Sequence, residues 1–397
     1  MLKSGMRCSA KASSRALALS VASSAFVLML LASIDNARAQ SKPIEVGSIA
    51  ALTGYLATYD GNFLNGLKLG VKTVNDAGGA GGHQLSLHIL DGASNATTGV
   101  TGVHQLLNQY SVTVLLNGAS SATTAAINPI LADAEVPFIT LSQLPPERKW
   151  AFESTTDFSA VTTLELDFTV KVLKAKKIGI IFNQTPAAQA GTEKLKALAP
   201  QWGLEVVSVQ GVATDATDFT AQLSAFKEAK PDAILDFMTG PAHILEAKAA
   251  STVGLQVPLV MGLDDTSTFL QASKIYPNAY LSAIPVQVYP DIADPNLKKA
   301  VGEFLDAYKK AGLDSAGVQA AASGWDAPHI VAAAVKASGA TSGEALRNAL
   351  ETLDYQGVVT RWRFKADDHT GQVNSNALQI VKYESDKLKV VFRAGSQ

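Results

Sequence analysis

Cysteine is almost absent from this chain. The single Cys8 lies within the first 39 residues, so a chain without that segment has no thiol at all. That excludes cysteine nucleophiles and thiolate metal sites, and it fits an oxidising compartment without calling for disulfides. Histidine is sparse as well: the six at positions 83, 88, 104, 243, 329 and 369 show no His-x-x-x-His or Glu-x-x-His spacing, so no helix offers a metal-ligating pair. There is no Gly-x-Ser-x-Gly turn to present a nucleophilic serine. An excess of positive charge is missing too. The 33 basic and 35 acidic side chains nearly cancel, and without residues 1–39, which hold five bases and one acid, 28 face 34. No basic stripe is left for nucleic acid. Nor is there a repeat of 20–50 residues, which excludes a solenoid.

What is present begins with a leader-like segment. Lys3, Arg7, Lys11 and Arg15 precede the apolar run from Ala16 to Ala32, and Ala37-Arg38-Ala39 makes a small-x-small cleavage site before Gln40. Residues 1–39 therefore read as a signal peptide, with an uncleaved membrane anchor as the alternative. Cys8 lies ahead of the apolar core and is not placed as a lipidated first residue. The rest of a 397-residue chain with 47% hydrophobic content is long enough for two domains.

From Pro43 onward, strand patterns alternate with helical ones. The run Ile44 to Ala50 reads as a buried strand, and Leu64, Leu67, Val71 and Val74 recur at helical spacing. Gly78-Gly-Ala-Gly-Gly82 follows that helix and precedes a strand, the wrong order for a phosphate-cradling loop, so it reads as a helix stop. A second series begins after Asp157, with strands at Lys177–Phe182, Glu205–Val209, Ala233–Phe237 and Leu259–Met261 separated by helices. Alternation of this kind predicts parallel sheets covered on both faces, in two successive lobes. Asn128-Pro129 is expected to kink its helix or to cap and restart it.

The most informative stretch runs from Val114 to Ile127. An apolar strand stops at Asn117-Gly118, and Ser120, Ser121, Thr123 and Thr124 then crowd the start of an alanine-rich helix. Unpaired backbone N–H groups and hydroxyls are thereby placed at a strand's carboxyl end, where open α/β sheets bind ligands. A carboxylate suits that spot. Helix capping by Ser120 or Ser121 explains the same residues without a ligand.

Taken in order, these motifs resemble those of the periplasmic substrate-binding proteins of ABC transporters, in the leucine/isoleucine/valine-binding family. The likeness covers Pro43 to Arg393 and rests on Ile49-Ala-Ala-Leu-Thr-Gly54 with Tyr59 and Asn65-Gly66, then Val74-Asn-Asp-Ala-Gly-Gly79 and Asp91. Ser121-x-x-Thr124 before Pro129-Ile130, and Val136-Pro-Phe-Ile-Thr-Leu-Ser142, follow in register. Thr217-Asp-Phe219, Lys230-Pro-Asp232, Val260-Met-Gly262 and Gly324-Trp-Asp326 match the later landmarks.

The resemblance implies an α/β fold of two doubly wound parallel-sheet lobes joined by three crossover strands, of the Venus-flytrap type. It places residues 40–156 with 286–358 in lobe 1 and residues 157–285 with 359–397 in lobe 2. The crossings would fall near Thr155–Asp157, Ala283–Val286 and Val358–Arg361. It also implies hinge closure on a ligand that touches both lobes. Residue by residue, Ser121 and Thr124 match hydroxyls that hold the ligand's carboxylate, and Leu141, Ser142 and Gln143 match the loop framing it. Tyr59 matches a tyrosine walling the cleft, although a lid over core fits it equally. Asp264 falls where an acid usually pairs with the ligand's ammonium, and Asp264-Asp265-Thr-Ser also reads as an N-cap cluster. Ala187 and Thr239 stand where aromatic walls are common, which leaves room for a bulkier amino acid or an aromatic or other organic acid. Phe182, Phe237, Tyr289 or His243 are alternative walls.

The function so implied is a non-catalytic, extracytoplasmic receptor that delivers a small carboxylate-bearing ligand to a membrane ABC permease. It works as a monomer in the periplasm, with no cofactor and no nucleic acid. Two rivals stand beside it: a ligand-sensing subunit of a signalling system, and an extracytoplasmic enzyme acting on small organic acids.

Overall fold

The computed structural model describes residues 41–144, 148–156, 158–372 and 377–395, so the leader-like segment and Asp157 lie outside the described residues. In chain order the first lobe opens with β1 (Ser41–Ala50), α1 (Ala57–Asp76), β2 (His83–Asp91), α2 (Ala96–Gln105), β3 (Val114–Asn117), α3 (Ser121–Asp133), β4 (Phe138–Thr140) and β5 (Ala151–Glu153). The second contributes α4 (Phe158–Lys171), β6 (Lys177–Asn183), α5 (Pro186–Leu198), β7 (Glu205–Val212), α6 (Thr220–Ala229) and β8 (Ala233–Phe237). It continues with α7 (Pro241–Val253), β9 (Leu259–Met261), α8 (Thr266–Ile275) and β10 (Ala279–Ala283). Then come α9 (Pro295–Lys310), α10 (Val318–Ser338), α11 (Gly343–Glu351), the short pair β11 (Tyr355–Gln356) and β12 (Arg361–Trp362), and the hairpin β13 (Gln379–Glu384) and β14 (Lys387–Arg393).

The first sheet has the order β2-β1-β3-β4-β5 and the second β14-β13-β10-β9-β8-β6-β7. Pairing is parallel along β1-β3-β4-β5 and along β7-β6-β8-β9-β10, with β13 and β14 added antiparallel at the far edge. The central strands β3 and β8 are buried at every position, as strands covered by helices on both faces must be. Each sheet reverses its winding once, between β1 and β3 in the first and between β6 and β8 in the second. Such switch points open a crevice at the strands' carboxyl ends.

Helix α10 returns to the first lobe although it lies far from it in sequence. A Cβ on Gly66 of α1 would stand 1.9 Å from the Ala321 carbonyl oxygen, and one on Gly324 would stand 2.1 Å from that of Phe63. No side chain fits at either place, so the glycines of Asn65-Gly66 and Gly324-Trp-Asp326 let two backbones touch. Asp326 extends the attachment: its carboxylate accepts from the Val358 and Val359 N–H groups and from Trp362 Nε1.

Two expectations are corrected. Helix α3 runs unbroken through Asn128-Pro129, so the proline neither ends nor restarts it. The third crossing does not fall at Val358–Arg361. His369 stacks on Phe152 at 4.1 Å and donates through Nδ1 to the carbonyls of Arg148 and Ala151, and its own carbonyl accepts from the Glu153 N–H. The chain thus stays against β5 as far as residue 371 and joins the second sheet only at β13. Burial of Trp362, Phe364 and His369 against the first lobe outweighs the short linker that the sequence pattern suggests.

Candidate functional site

The loops after β1 and β3 are fastened by Asp60, which is fully buried. Its Oδ2 accepts from the Ala51 N–H at 2.6 Å and its Oδ1 from the Ala119 N–H at 2.8 Å. Burial pushes its carboxyl up to about 6, and the two amides pull it partly back. A Cβ on Gly118 would meet Asp60 Oδ2 at 2.4 Å, which is why that turn carries glycine. Asp91 secures the outer end of the β1 loop by accepting from the Leu52 and Thr53 N–H groups and the Thr53 hydroxyl.

At the start of α3 the hydroxyl cluster divides its labour. Ser120 caps the helix, with Oγ accepting from the Thr123 N–H at 3.2 Å. Ser121, one residue on, faces the crevice, and its Oγ accepts from the Ala187 N–H of the second lobe at 3.5 Å. Thr124 points elsewhere: Oγ1 accepts from Asn117 Nδ2 at 2.9 Å and lies 3.2 Å from Thr140 Oγ1, so it ties the ends of β3 and β4 together. Of the two hydroxyls expected at the ligand, only that of Ser121 reaches the cavity wall. The first turn of a helix leaves N–H groups without intrahelical partners, so Ser121 stands beside the natural anion seat of α3.

Between the two switch points lies a cavity of about 150 Å³. That is close to the ~150 Å³ that accommodates a benzene-sized guest in an engineered core. From the first lobe, Tyr59, Ser121, Leu141, Ser142 and Gln143 line it; from the second, Asn183 and Thr185 after β6, Ala187, and Asp236 to Thr239 at the end of β8. Tyr59 is buried, and its hydroxyl donates to Gln319 Oε1 at 2.6 Å, so it is held as wall. Ala187 and Thr239 both line the cavity. Ser121, Gln143 and Ala187 also border an outer groove carrying Arg148 and Lys194.

Asp264 is not on that wall. It is fully buried behind it, with Oδ2 accepting from the Gly240 N–H at 2.7 Å and from His243 Nδ1 at 2.5 Å, and Oδ1 accepting from the Asp265 N–H. His243 Nε2 reaches Asp236 Oδ1 at 3.1 Å. Burial alone would lower the imidazole, but Asp236 and Asp264 outweigh it and hold the ring protonated, well above the usual histidine range. Glu246 beside them is pushed well up by burial and by the charge of Asp236. An acid already paired with an imidazolium and two amides has nothing left for a ligand's ammonium.

The acid that does reach the cavity is Glu165 on α4. Its Oε1 accepts from the Ser282 hydroxyl at 2.7 Å, while Oε2 is buried without a partner. Burial drives its carboxyl up to about 8, the Ser282 hydroxyl draws it down, and Asp236 adds to the rise. The sequence carried a signal for it: Val161, Leu164 and Phe168 form one apolar helical stripe, and Glu165 is the acid set within it. Among the described residues, no group of three or more histidine, cysteine, aspartate or glutamate side chains could hold a metal ion.

Two α/β lobes with a small polar-and-apolar cavity at facing switch points is an arrangement for enclosing a solute. The family model for periplasmic binding protein matches residues 43–387. The chain belongs to the periplasmic binding protein family. A relative of this binding protein from Brucella melitensis, Leu/Ile/Val-binding protein homolog 3, is 22% identical over 375 residues, spanning 90% of this chain and 96% of its own length. Among solved structures, a branched-chain amino acid transporter substrate binding protein from Streptococcus pneumoniae, in complex with isoleucine, superposes with a TM-score of 0.74 at 24% identity. It covers 88% of this binding protein and 99% of its own chain. An ABC transporter solute binding protein from R. palustris, in complex with benzoate, gives 0.74 at 18% identity over 89% and 96%. The type I fold of this binding protein is thereby shared with receptors of two ligand classes.

Proposed function

We propose that this protein is an extracytoplasmic solute receptor that captures a small carboxylate-bearing ligand, an amino acid or an aromatic or other organic acid, and delivers it to a membrane ABC permease. The observation that carries this reading is the cavity at the two switch points, with the Ser121 hydroxyl and the first turn of α3 on its wall. The ligand's carboxylate sits against those groups, framed by Leu141, Ser142 and Gln143, with Tyr59 as a side wall. Ala187 and Thr239 leave room for a side chain of moderate bulk. In this reading lobe 1 comprises residues 40–156 with 286–372 and lobe 2 the remainder. Residues 1–39 direct export and are removed after Ala39, and the receptor acts as a monomer in the periplasm.

Capture needs hinge closure, and a ligand shifts the lobes only if it binds the closed form better than the open one. Binding is the whole output, with no bond made or broken. A thermal-shift panel of amino acids, aromatic acids and dicarboxylates tests this, since a ligand selective for the folded state raises its apparent stability. We expect at least one carboxylate to raise the melting temperature and to be recovered unchanged. Stabilisation only by compounds lacking a carboxylate, or conversion of the stabilising compound, would refute the proposal.

A further inference from the structure

Among the described residues the cavity wall carries two carboxylates, Glu165 and Asp236, and no lysine, arginine or histidine. The nearest bases on an adjoining wall, Arg148 and Lys194, belong to the outer groove, and Lys194 donates to Ser159 Oγ. Asp236 is occupied: Oδ1 accepts from the Gly262 N–H at 3.0 Å and from His243 Nε2, and its carboxylate also pairs with Glu246 on the side away from the cavity. The positive charge of His243 is shared between Asp236 and Asp264, so the network behind the wall has no positive charge to spare. Glu165 differs. Its side chain is fully buried, one oxygen is held by Ser282, and the other has no partner in the protein. A buried polar oxygen without a partner is rare in a native structure and asks for a group the protein does not supply.

We infer that Glu165 seats a cationic group of the ligand, so that the captured molecule carries a protonated amine as well as its carboxylate. This rests on the proposed receptor function and narrows it. The carboxylate meets the amides and hydroxyl at α3 on the first lobe, and the ammonium meets Glu165 Oε2 on the second. A ligand with both ends charged bridges the lobes and rewards closure, whereas a plain acid finds a seat on one side and acids on the other. The position that the family resemblance suggests for this role, Asp264, is closed off by His243 and Gly240.

The test uses matched pairs that differ only in the amine: leucine against 4-methylpentanoate, and phenylalanine against 3-phenylpropanoate, with benzoate added. Titration calorimetry on the exported chain is expected to favour the amine-bearing member at least tenfold. Glu165→Gln should weaken that member by roughly ten- to hundredfold, the range for a hydrogen bond to a charged group, and leave the plain acid nearly unaffected.

The wild-type protein supplies a second readout. With the empty Glu165 near 8, capture of an ammonium expels a proton below that pH. Affinity for the amine should therefore climb towards tenfold per unit from about pH 6 to 8 and then level off. The charged groups facing Glu165 are Asp236 of β8 and His243 of α7. Asp236 is lowered and His243 well raised, which leaves Glu165 to titrate in this window. Asp265, near 7, also titrates there, but Glu165→Gln retains it, so the difference between the two proteins isolates Glu165. Binding of the plain acid as tightly as its amine, or affinity that falls as pH rises because a protonated Glu165 donates to the ligand, overturns the inference while leaving the receptor standing. Failure of both members of every pair, with some other class binding, overturns both.

Discussion

Asp265 follows β9 in the second lobe, yet every side-chain bond it makes crosses to the first. Its Oδ1 accepts from the Gln319 and Ala320 N–H groups at 3.0 and 3.2 Å, and its Oδ2 from Asn62 Nδ2 at 2.8 Å. Two of these donors are first-turn amides of the 21-residue helix α10, whose partial positive end favours an acid. Asp265→Ala leaves three donors without this acceptor, at about 1–3 kcal/mol for a buried group left unsatisfied. Opening the cleft rehydrates them, so the loss appears in the balance between open and closed forms more than in global unfolding. A shift of about 2 kcal/mol in that balance corresponds to roughly thirtyfold in apparent ligand affinity. Titration calorimetry with a binding ligand reads the affinity, and small-angle scattering of the ligand-free protein reads the radius of gyration. We expect weaker binding, a larger ligand-free radius and a melting temperature within a few degrees of wild type. Wild-type affinity together with an unchanged radius would refute the latch.

The two hydroxyls of the Ser121-x-x-Thr124 motif should separate cleanly. Ser121→Ala is expected to weaken ligand binding about tenfold with little change in melting temperature, and Thr124→Val to lower stability by about 1–3 kcal/mol because Asn117 Nδ2 loses its acceptor. Denaturant titration and calorimetry on both variants check this. Gly66→Ala places a methyl 1.9 Å from the Ala321 oxygen, so α1 and α10 must part; overpacking of this kind costs about 3 kcal/mol, measured as a lower denaturation midpoint. The pH profile of stability should slope the unusual way. Burial raises Asp60 and Asp326 to about 6, Asp265 to about 7 and Glu165 to about 8. A raised acid contributes most below its unfolded value near about 4 and loses that contribution as pH climbs through its folded value. Melting temperature should therefore fall between about pH 5 and 8. Asp354, drawn down to about 2 by Arg361 and Arg363, keeps its contribution throughout that window. A melting temperature that rises steadily to pH 8 would contradict the burial of these acids.

The alternation of strand and helix, the two-lobed class and the anion seat after β3 were legible in the sequence because they rest on local order. Strand burial repeats over two residues and helix burial over three or four, and a Gly turn followed by hydroxyls marks a strand-to-helix corner wherever the chain goes. Asn65-Gly66 and Gly324-Trp-Asp326 were visible as landmarks, but that their glycines face each other across two helices was not. The neighbouring acids show where local reading stops. Asp264 and Asp265 are adjacent, yet one is sealed in with His243 and the other bonds across the cleft, and no sequence pattern separates them.

What the sequence determined alone was therefore which segments become strands and helices, that they form two wound lobes, and that Ser121 lies at a strand's carboxyl end. The tertiary structure decided which acid faces the cavity, because the partners that occupy or spare a carboxylate come from distant segments. Ser282, which holds Glu165, is 117 residues away, and Gln319, which holds Tyr59, is 260 residues away. Hydrogen bonds at that separation depend on how sheets and helices pack, and a carboxylate's availability to a ligand is settled only when that packing is complete.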